Sequence, residues 1–366
     1  MNKLFITGFL LIGIAGVGLF FYIATPSSTG LLKPTGPYGI GTTTYHLIDS
    51  NRKEPHADTG GQRELMVQVW YPTDVHDMPK TAYIPSQKSL EIIKADIQEV
   101  FKVSADQVTF LDTLKTHAQF DAPVSSQESS YPVILFSPGS GAPVVIYSTL
   151  IEELASHGYI VVGISYPYIT NPVEFPGSRV VKNIKIPELQ KIWGLQTESA
   201  ATTKEQDIWV ADIQFVLDNL KEIDSKDLQN ILTGKLGLKN IGLAGHSFGG
   251  GASVHVCALD KRCKAVANID GRFTYSADFD HGFNTPLMVI RNPFHKEDKK
   301  NQLLSQMQRM TGPTRYHEVP EMLHGSFTDL GLFIVEKGKE KRTINPRDGL
   351  RTTRKLLLNF FDTHLK

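Results

Sequence analysis

The chain has 366 residues, 41% of them hydrophobic and 21% charged, with 38 basic side chains balancing 38 acidic ones. This composition supplies a large core and excludes global disorder. Zero net charge argues against nucleic acid, or a strongly acidic substrate, as the main partner.

Lys3 precedes 21 uncharged residues, Leu4–Ala24, which end at Thr25-Pro-Ser-Ser28. As a helix, such a stretch rises about 30 Å, enough to cross a hydrocarbon core. The apolar region of a cleavable signal peptide is shorter, about 7–15 residues. The expectation is therefore an uncleaved signal anchor over residues 1–24, with a removed signal peptide as the alternative. Either way Lys3 stays inside and the bulk of the chain is exported. No cysteine lies near the end of the segment for lipid attachment. Residues 25–36 read as a linker and 37–366 as one domain.

Thr42–Leu47 and Leu65–Tyr71 are two early strands; the second is rich in β-branched and aromatic residues and closes at Pro72. Val133–Ser137 and Tyr159–Ser165 are short buried strands. Between them Val144–His157 reads as a helix, with Tyr147, Leu150, Ile151 and Leu154 on one face and Gly158 as its stop. Ile208, Val210, Ile213, Val216, Leu217 and Leu220 mark a second amphipathic helix. Further strands follow at Ile241–Ala244, Lys264–Ile269, Pro286–Arg291 and Thr314–Val319, and a helix runs from Arg347 to His364. Strands alternating with helices predict an α/β fold, a mostly parallel sheet with helices on both faces and ligands at the carboxyl ends of the strands.

Two stretches interrupt this alternation. Residues 74–130 hold a helix near Leu90–Val103 and no evident sheet strand. Residues 167–202 are rich in proline, glycine and polar side chains. Inserts of this length near a catalytic edge read as walls of an acyl or leaving-group pocket. The basic run Lys337–Arg342 reads as a solvated loop.

Gly245-His-Ser-Phe-Gly249 lies between the strand at Ile241–Ala244 and a helix-like run, Gly250–Cys257. This is the G-x-S-x-G elbow, a sharp turn that raises a serine hydroxyl above a sheet. Its glycines are required because side chains on either side would collide across the turn. Ser247 is thus the candidate nucleophile, and the amide of Phe248 is one candidate oxyanion donor. The glycine-rich loop Phe136-Ser-Pro-Gly-Ser-Gly141 can bring a second, the amide of Ser140.

Serine needs a base, and in elbow enzymes the chain order is serine, acid, histidine. His324 follows the last predicted strand in a loop beside Gly325 and is the candidate. His317 lies inside a strand pattern, His281 and His295 lack a comparable placement, and His246 points wrongly for a base. Asp270, at the carboxyl end of Lys264–Ile269, is the candidate acid. Glu297 and Asp298, in a charged surface loop, are the alternative. Cys257 and Cys263 enclose five residues and can bridge helix end to strand start as a local disulfide. Two cysteines without paired histidines make no metal site, and no cofactor is expected.

Together these residues resemble the group VII platelet-activating factor acetylhydrolases and their bacterial relatives. The resemblance covers nearly all of the chain beyond the anchor. It is carried by Gly36-Pro-Tyr-Gly-Ile-Gly-Thr42, Leu65–Pro72, the Phe136–Gly141 loop, Leu154-Ala-Ser-His-Gly-Tyr159, the elbow, Asp270, His324 and Phe360–Leu365. It implies the α/β-hydrolase fold and calcium-independent hydrolysis of short or oxidised sn-2 acyl chains of phospholipids by a Ser247–His324–Asp270 triad. Pro138 stands where that family usually has histidine, and Ser165-Tyr-Pro-Tyr168 departs from its usual acidic or histidine-containing segment. The same likeness extends to exported carboxylesterases, lipases and polyester hydrolases acting on neutral esters.

Overall fold

The computed structural model describes residues 21–23, 30–57, 60–227, 229–272, 282–320, 322–336 and 345–366. Its strands are β1 (Phe21–Ile23), β2 (Gly39–Lys53), β3 (Gln62–Thr73), β4 (Lys80–Ala82), β5 (Lys115–Phe120), β6 (Tyr131–Ser137), β7 (Ile160–Ser165), β8 (Val173–Phe175), β9 (Arg179–Val181), β10 (Leu236–His246), β11 (Cys263–Ile269), β12 (Leu287–Arg291), β13 (Thr314–Glu318) and β14 (Ile334–Glu336). Its helices are α1 (Gln87–Phe101), α2 (Ser148–Ser156), α3 (Ile186–Ile192), α4 (Glu198–Ser225), α5 (Ser247–Leu259), α6 (Glu297–Met307) and α7 (Pro346–Leu365).

Ten strands form one sheet in the order β13-β12-β11-β10-β6-β7-β3-β2-β5-β4. From β13 through β7 every neighbour is parallel, and β3 and β2 then extend the sheet antiparallel. Alternation along the central strands explains why both faces are covered. Ile134, Phe136, Val161, Ala244 and Ala267 join α1, α2 and α7 in one core, while Val133, Leu135, Val162, Leu243 and Val266 join α3, α4, α5 and α6 in the other. This is the α/β-hydrolase architecture that the resemblance implied.

The structure departs from the expectations in four places. The 74–130 insert does reach the sheet: β5 pairs with β2 and β4 with β5. Their sequences, KTHAQF and KTA, carry too few apolar residues for a strand signal, because they form the sheet's outer edge. The expected helix at Val144–His157 starts as a 3-10 turn, Val144–Tyr147, before α2. The linker is partly built into the body, since Leu31 and Leu32 are buried in the core and their backbone carries a bond from Arg354. Residues 21–23, the end of the expected apolar helix, are extended and pair antiparallel with β14. The remainder of that segment, residues 1–20 and 24, lies outside the described residues, as do His281 and Lys337–Arg342. Among the described residues no helix is long and apolar enough to cross a membrane. Cys257 and Cys263 are disulfide-bonded, as their spacing suggested.

Candidate active site

The elbow is tight enough to explain its glycines. A Cβ on Gly245 would lie 2.5 Å from the Gly249 carbonyl carbon, and one on Gly249 would lie 2.3 Å from the Pro138 oxygen. The turn holds Ser247 at a φ of 54°, a left-handed conformation that side chains rarely adopt. Ser247 opens α5 directly off β10, so its hydroxyl stands at the carboxyl edge of the sheet.

Asp270 follows β11, one strand further along the sheet, and His324 lies beyond β13 in a short 3-10 turn, His324–Phe327. The fold brings the three together. His324 Nδ1 is 2.6 Å from Asp270 Oδ2, and His324 Nε2 is 3.0 Å from Ser247 Oγ. The consistent tautomer donates from Nδ1 to the carboxylate and accepts the serine proton at Nε2. The imidazole of His324 is about one-third exposed, whereas the Asp270 side chain is sealed from solvent.

Asp270 is densely held. The amide of Asn292 donates to Oδ1 at 3.1 Å, and the Asn292 side chain donates to Oδ2 at 2.6 Å. His295 Nε2 lies 2.8 Å from Oδ1. Burial pushes the carboxyl pKa up. Hydrogen bonds from His295 and His324, with the nearby charge of Arg291, more than offset this and hold it well below the ordinary range. The carboxyl therefore stays ionised at neutral pH.

His246, the variable residue of the elbow, is a strut. Its Nε2 donates to the His324 carbonyl at 3.0 Å, and its Nδ1 accepts from Tyr147 Oη at 2.9 Å. Tyr147 Oη in turn accepts from the Gly139 amide at 3.0 Å. Burial, and repulsion from His324, lower the His246 pKa from 6.5 to about 3, so it is neutral. Ligand atoms of His246, Asp270 and His324 lie within 4.8 Å of one another. Both His246 nitrogens are already engaged, however, and the set is a hydrogen-bonded relay rather than a metal cage.

In the Phe136–Gly141 loop, Gly139 donates to Tyr147 and Gly141 donates to the Ile169 carbonyl at 3.0 Å. Ser140 lies between them, exposed, with its amide unpaired among the described residues. The Phe248 amide is in the first turn of α5, where a helix leaves its amides free. The sequence names the same two amides as candidate oxyanion donors. Both inserts also reach this region: Ile169 holds the loop, and Tyr83 donates to Asp329 Oδ2, whose Oδ1 accepts from the amide of Thr149 in α2.

Three features were missed in the sequence. His295 had no visible placement, yet it reaches Asp270, because β12 ends beside β11 and the following turn folds back. Asn292 and Tyr147 carry no motif; Tyr147 was assigned only to a helix face. The rejected acids Glu297 and Asp298 begin α6, which leaves Asp270 as the carboxylate bonded to His324.

The sequence pattern described as platelet-activating factor acetylhydrolase, isoform II, matches residues 23–167 and 199–366. The chain belongs to this acetylhydrolase family. It is 25% identical over 259 residues to the Arthroderma benhamiae protein named "Probable 1-alkyl-2-acetylglycerophosphocholine esterase", a match covering 67% of this chain and 60% of that one. It is 22% identical over 347 residues to the platelet-activating factor acetylhydrolase of Cavia porcellus, covering 85% and 73%. Among solved structures it is similar to a ferulic acid esterase from Streptomyces cinnamoneus, with 27% identity and a TM-score of 0.71 over 92% of this acetylhydrolase-family chain and 93% of the esterase.

Proposed function

We propose that this serine ester hydrolase releases short sn-2 acyl groups from phospholipids by two-step acyl transfer. The observation that carries the chemistry is the continuous relay from Asp270 through His324 to Ser247, at 2.6 and 3.0 Å. His324 removes the Ser247 proton as Oγ attacks the ester carbonyl. The amides of Ser140 and Phe248 hold the developing oxyanion. The protonated imidazole then gives its proton to the leaving alcohol oxygen, and the acyl group stays on Ser247. Water, deprotonated by the same nitrogen, attacks the acyl-enzyme and releases the acid. Asp270 fixes the tautomer and stabilises the imidazolium without taking the proton.

Family membership supports the phospholipid substrate. A second reading is favoured by the ferulic acid esterase likeness: hydrolysis of neutral carboxylic esters, as by a general carboxylesterase, lipase or polyester hydrolase. A fluorophosphonate probe, with the modified peptide identified by mass spectrometry, tests the chemistry and should label Ser247. Turnover of 2-acetyl phosphocholine esters against neutral short-chain esters then separates the substrates. Higher kcat/KM on the neutral esters removes the phospholipid reading.

We also propose that the uncharged segment beginning at Leu4 anchors the enzyme in a membrane with the catalytic body on the exported side, the span ending before Phe21–Ile23, which pair with β14. Its uncharged length and the preceding Lys3 support this. The full chain should fractionate with membranes and resist extraction at high salt. Release of a shortened product would instead mean cleavage.

A further inference from the structure

The Asp270 carboxylate faces two imidazoles. His324 takes Oδ2 and His295 takes Oδ1, at 2.6 and 2.8 Å. Asn292 already supplies each oxygen with one donor, through its amide and its side chain. Each oxygen accepts two such bonds, so His295 takes the place on Oδ1 that Asn292 leaves open, as His324 does on Oδ2; the Asn292 side-chain nitrogen also lies 3.0 Å from His295 Nε2. The His295 ring is about 30% exposed, so packing alone does not account for its aim.

We infer that His295 is a positioning residue for the triad, which clamps the Asp270 oxygen opposite the one that holds His324. This rests on the reading of Ser247, His324 and Asp270 as the reacting relay. The clamp works through geometry. A carboxylate gripped at Oδ1 cannot rotate about its Cβ–Cγ bond without breaking a charge-assisted hydrogen bond, so Oδ2 stays on His324 Nδ1.

The test is kcat and KM, separately, for the native enzyme, His295→Phe and His295→Gln, each checked for native melting and circular dichroism. Phenylalanine keeps bulk and removes the donor. Glutamine places a donor near the former Nε2. Because the Asn292 bonds remain, the loss in His295→Phe should be about tenfold, mostly in kcat. His295→Gln should recover to within about threefold of native. A His295→Phe enzyme with native kcat overturns the inference. So does a His295→Gln enzyme as impaired as His295→Phe, which would leave ring packing as the role. Native protein unlabelled by a fluorophosphonate at Ser247 defeats the underlying triad reading, a result distinct from either.

Discussion

His324 beside Asp270 and His56 between Glu54 and Glu205 are both histidines set against carboxylates, and they differ in what the second nitrogen meets. His324 gives Nδ1 to an acid and turns Nε2 to a hydroxyl at the sheet's open edge. His56 gives Nδ1 to Glu54 at 2.8 Å and Nε2 to Glu205 at 2.7 Å, with no exposed ring surface. Around His56, Arg63 closes a sealed network with Glu54 and with Asp212, at 3.0 and 2.6 Å. Tyr168 and Trp193 from the second insert lie against its ring. The two regions even share a wall: Glu205 accepts from Trp209, whose ring meets Phe248 of the elbow edge-on at 5.0 Å. One network turns a lone pair to a nucleophile, and the other has spent its sites fastening the β2–β3 hairpin to α4.

The largest effect that would break this contrast is catalytic. Ser247→Ala or His324→Ala should lower kcat/KM by on the order of 10⁴-fold or more, with little change in melting temperature. Steady-state kinetics on either substrate class checks this. Near-native turnover in either variant removes the relay from the mechanism.

The reverse pattern is expected at Arg63, which is fully buried. Arg63→Met strands Asp212 and Glu54 away from water, although Arg52 still reaches Asp212 at 2.9 Å. Breaking a buried pair on one side costs about 3 kcal/mol or more. Denaturant titration should show that loss, while kcat of the folded fraction falls far less than in the triad variants. A stability close to native would mean that the sealed network is not what holds the β2–β3 hairpin to α4.

How much of this contrast was legible in the sequence follows from the physics of each region. Ser247, Asp270 and His324 were readable because the elbow requires glycines at fixed spacing and the fold requires the acid and base just after strands. Continuous apolar runs marked every central strand for a similar reason, since both of its faces are buried. The His56 network left no such trace. Glu54, His56, Arg63, Glu205 and Asp212 are charged residues far apart in sequence, and only tertiary pairing turns them from surface residues into core. His295 was passed over on the same ground: its partner, Asp270, lies 25 residues away. The edge strand β4 and its neighbour β5 were hidden because a sheet margin needs less apolar surface than a centre.

Titration separates the buried histidines in opposite directions. Burial lowers the His56 pKa, but hydrogen bonds to Glu205 and Glu54 outweigh it and raise the folded value above the ordinary 6.5. Its stabilisation is therefore complete below an unfolded value of about 6.5 and fades as pH rises through the folded one. His246 behaves conversely: with its folded pKa lowered to about 3, it withdraws stability as pH falls from about 6.5 towards that value. The melting-temperature difference between native protein and His56→Gln should be widest below pH 6.5 and should narrow above it. A difference constant across pH would show that the folded pKa of His56 is unshifted, and one that shrinks as pH falls below about 6.5 would show that His56 is held neutral.

The smallest effect concerns the strut that joins the two sides of the active site. Tyr147 Oη links the Gly139 amide to His246, and His246 carries the His324 carbonyl. Tyr147→Phe keeps the packed ring and leaves the Gly139 amide and His246 Nδ1 unpaired, a loss of about 1–3 kcal/mol for buried polar groups. Most of that loss should appear in stability, because other bonds hold both loops: Ile169 to Gly141 on the oxyanion side, and Asp329 to Thr149 behind His324. kcat/KM should fall by no more than about tenfold, with native fluorophosphonate labelling of Ser247. A fall comparable to that of His324→Ala would place Tyr147 and His246 among the groups that set the reacting geometry. A strut that catalysis barely notices would leave the relay positioned mainly from the acid side, where Asn292 and His295 grip Asp270.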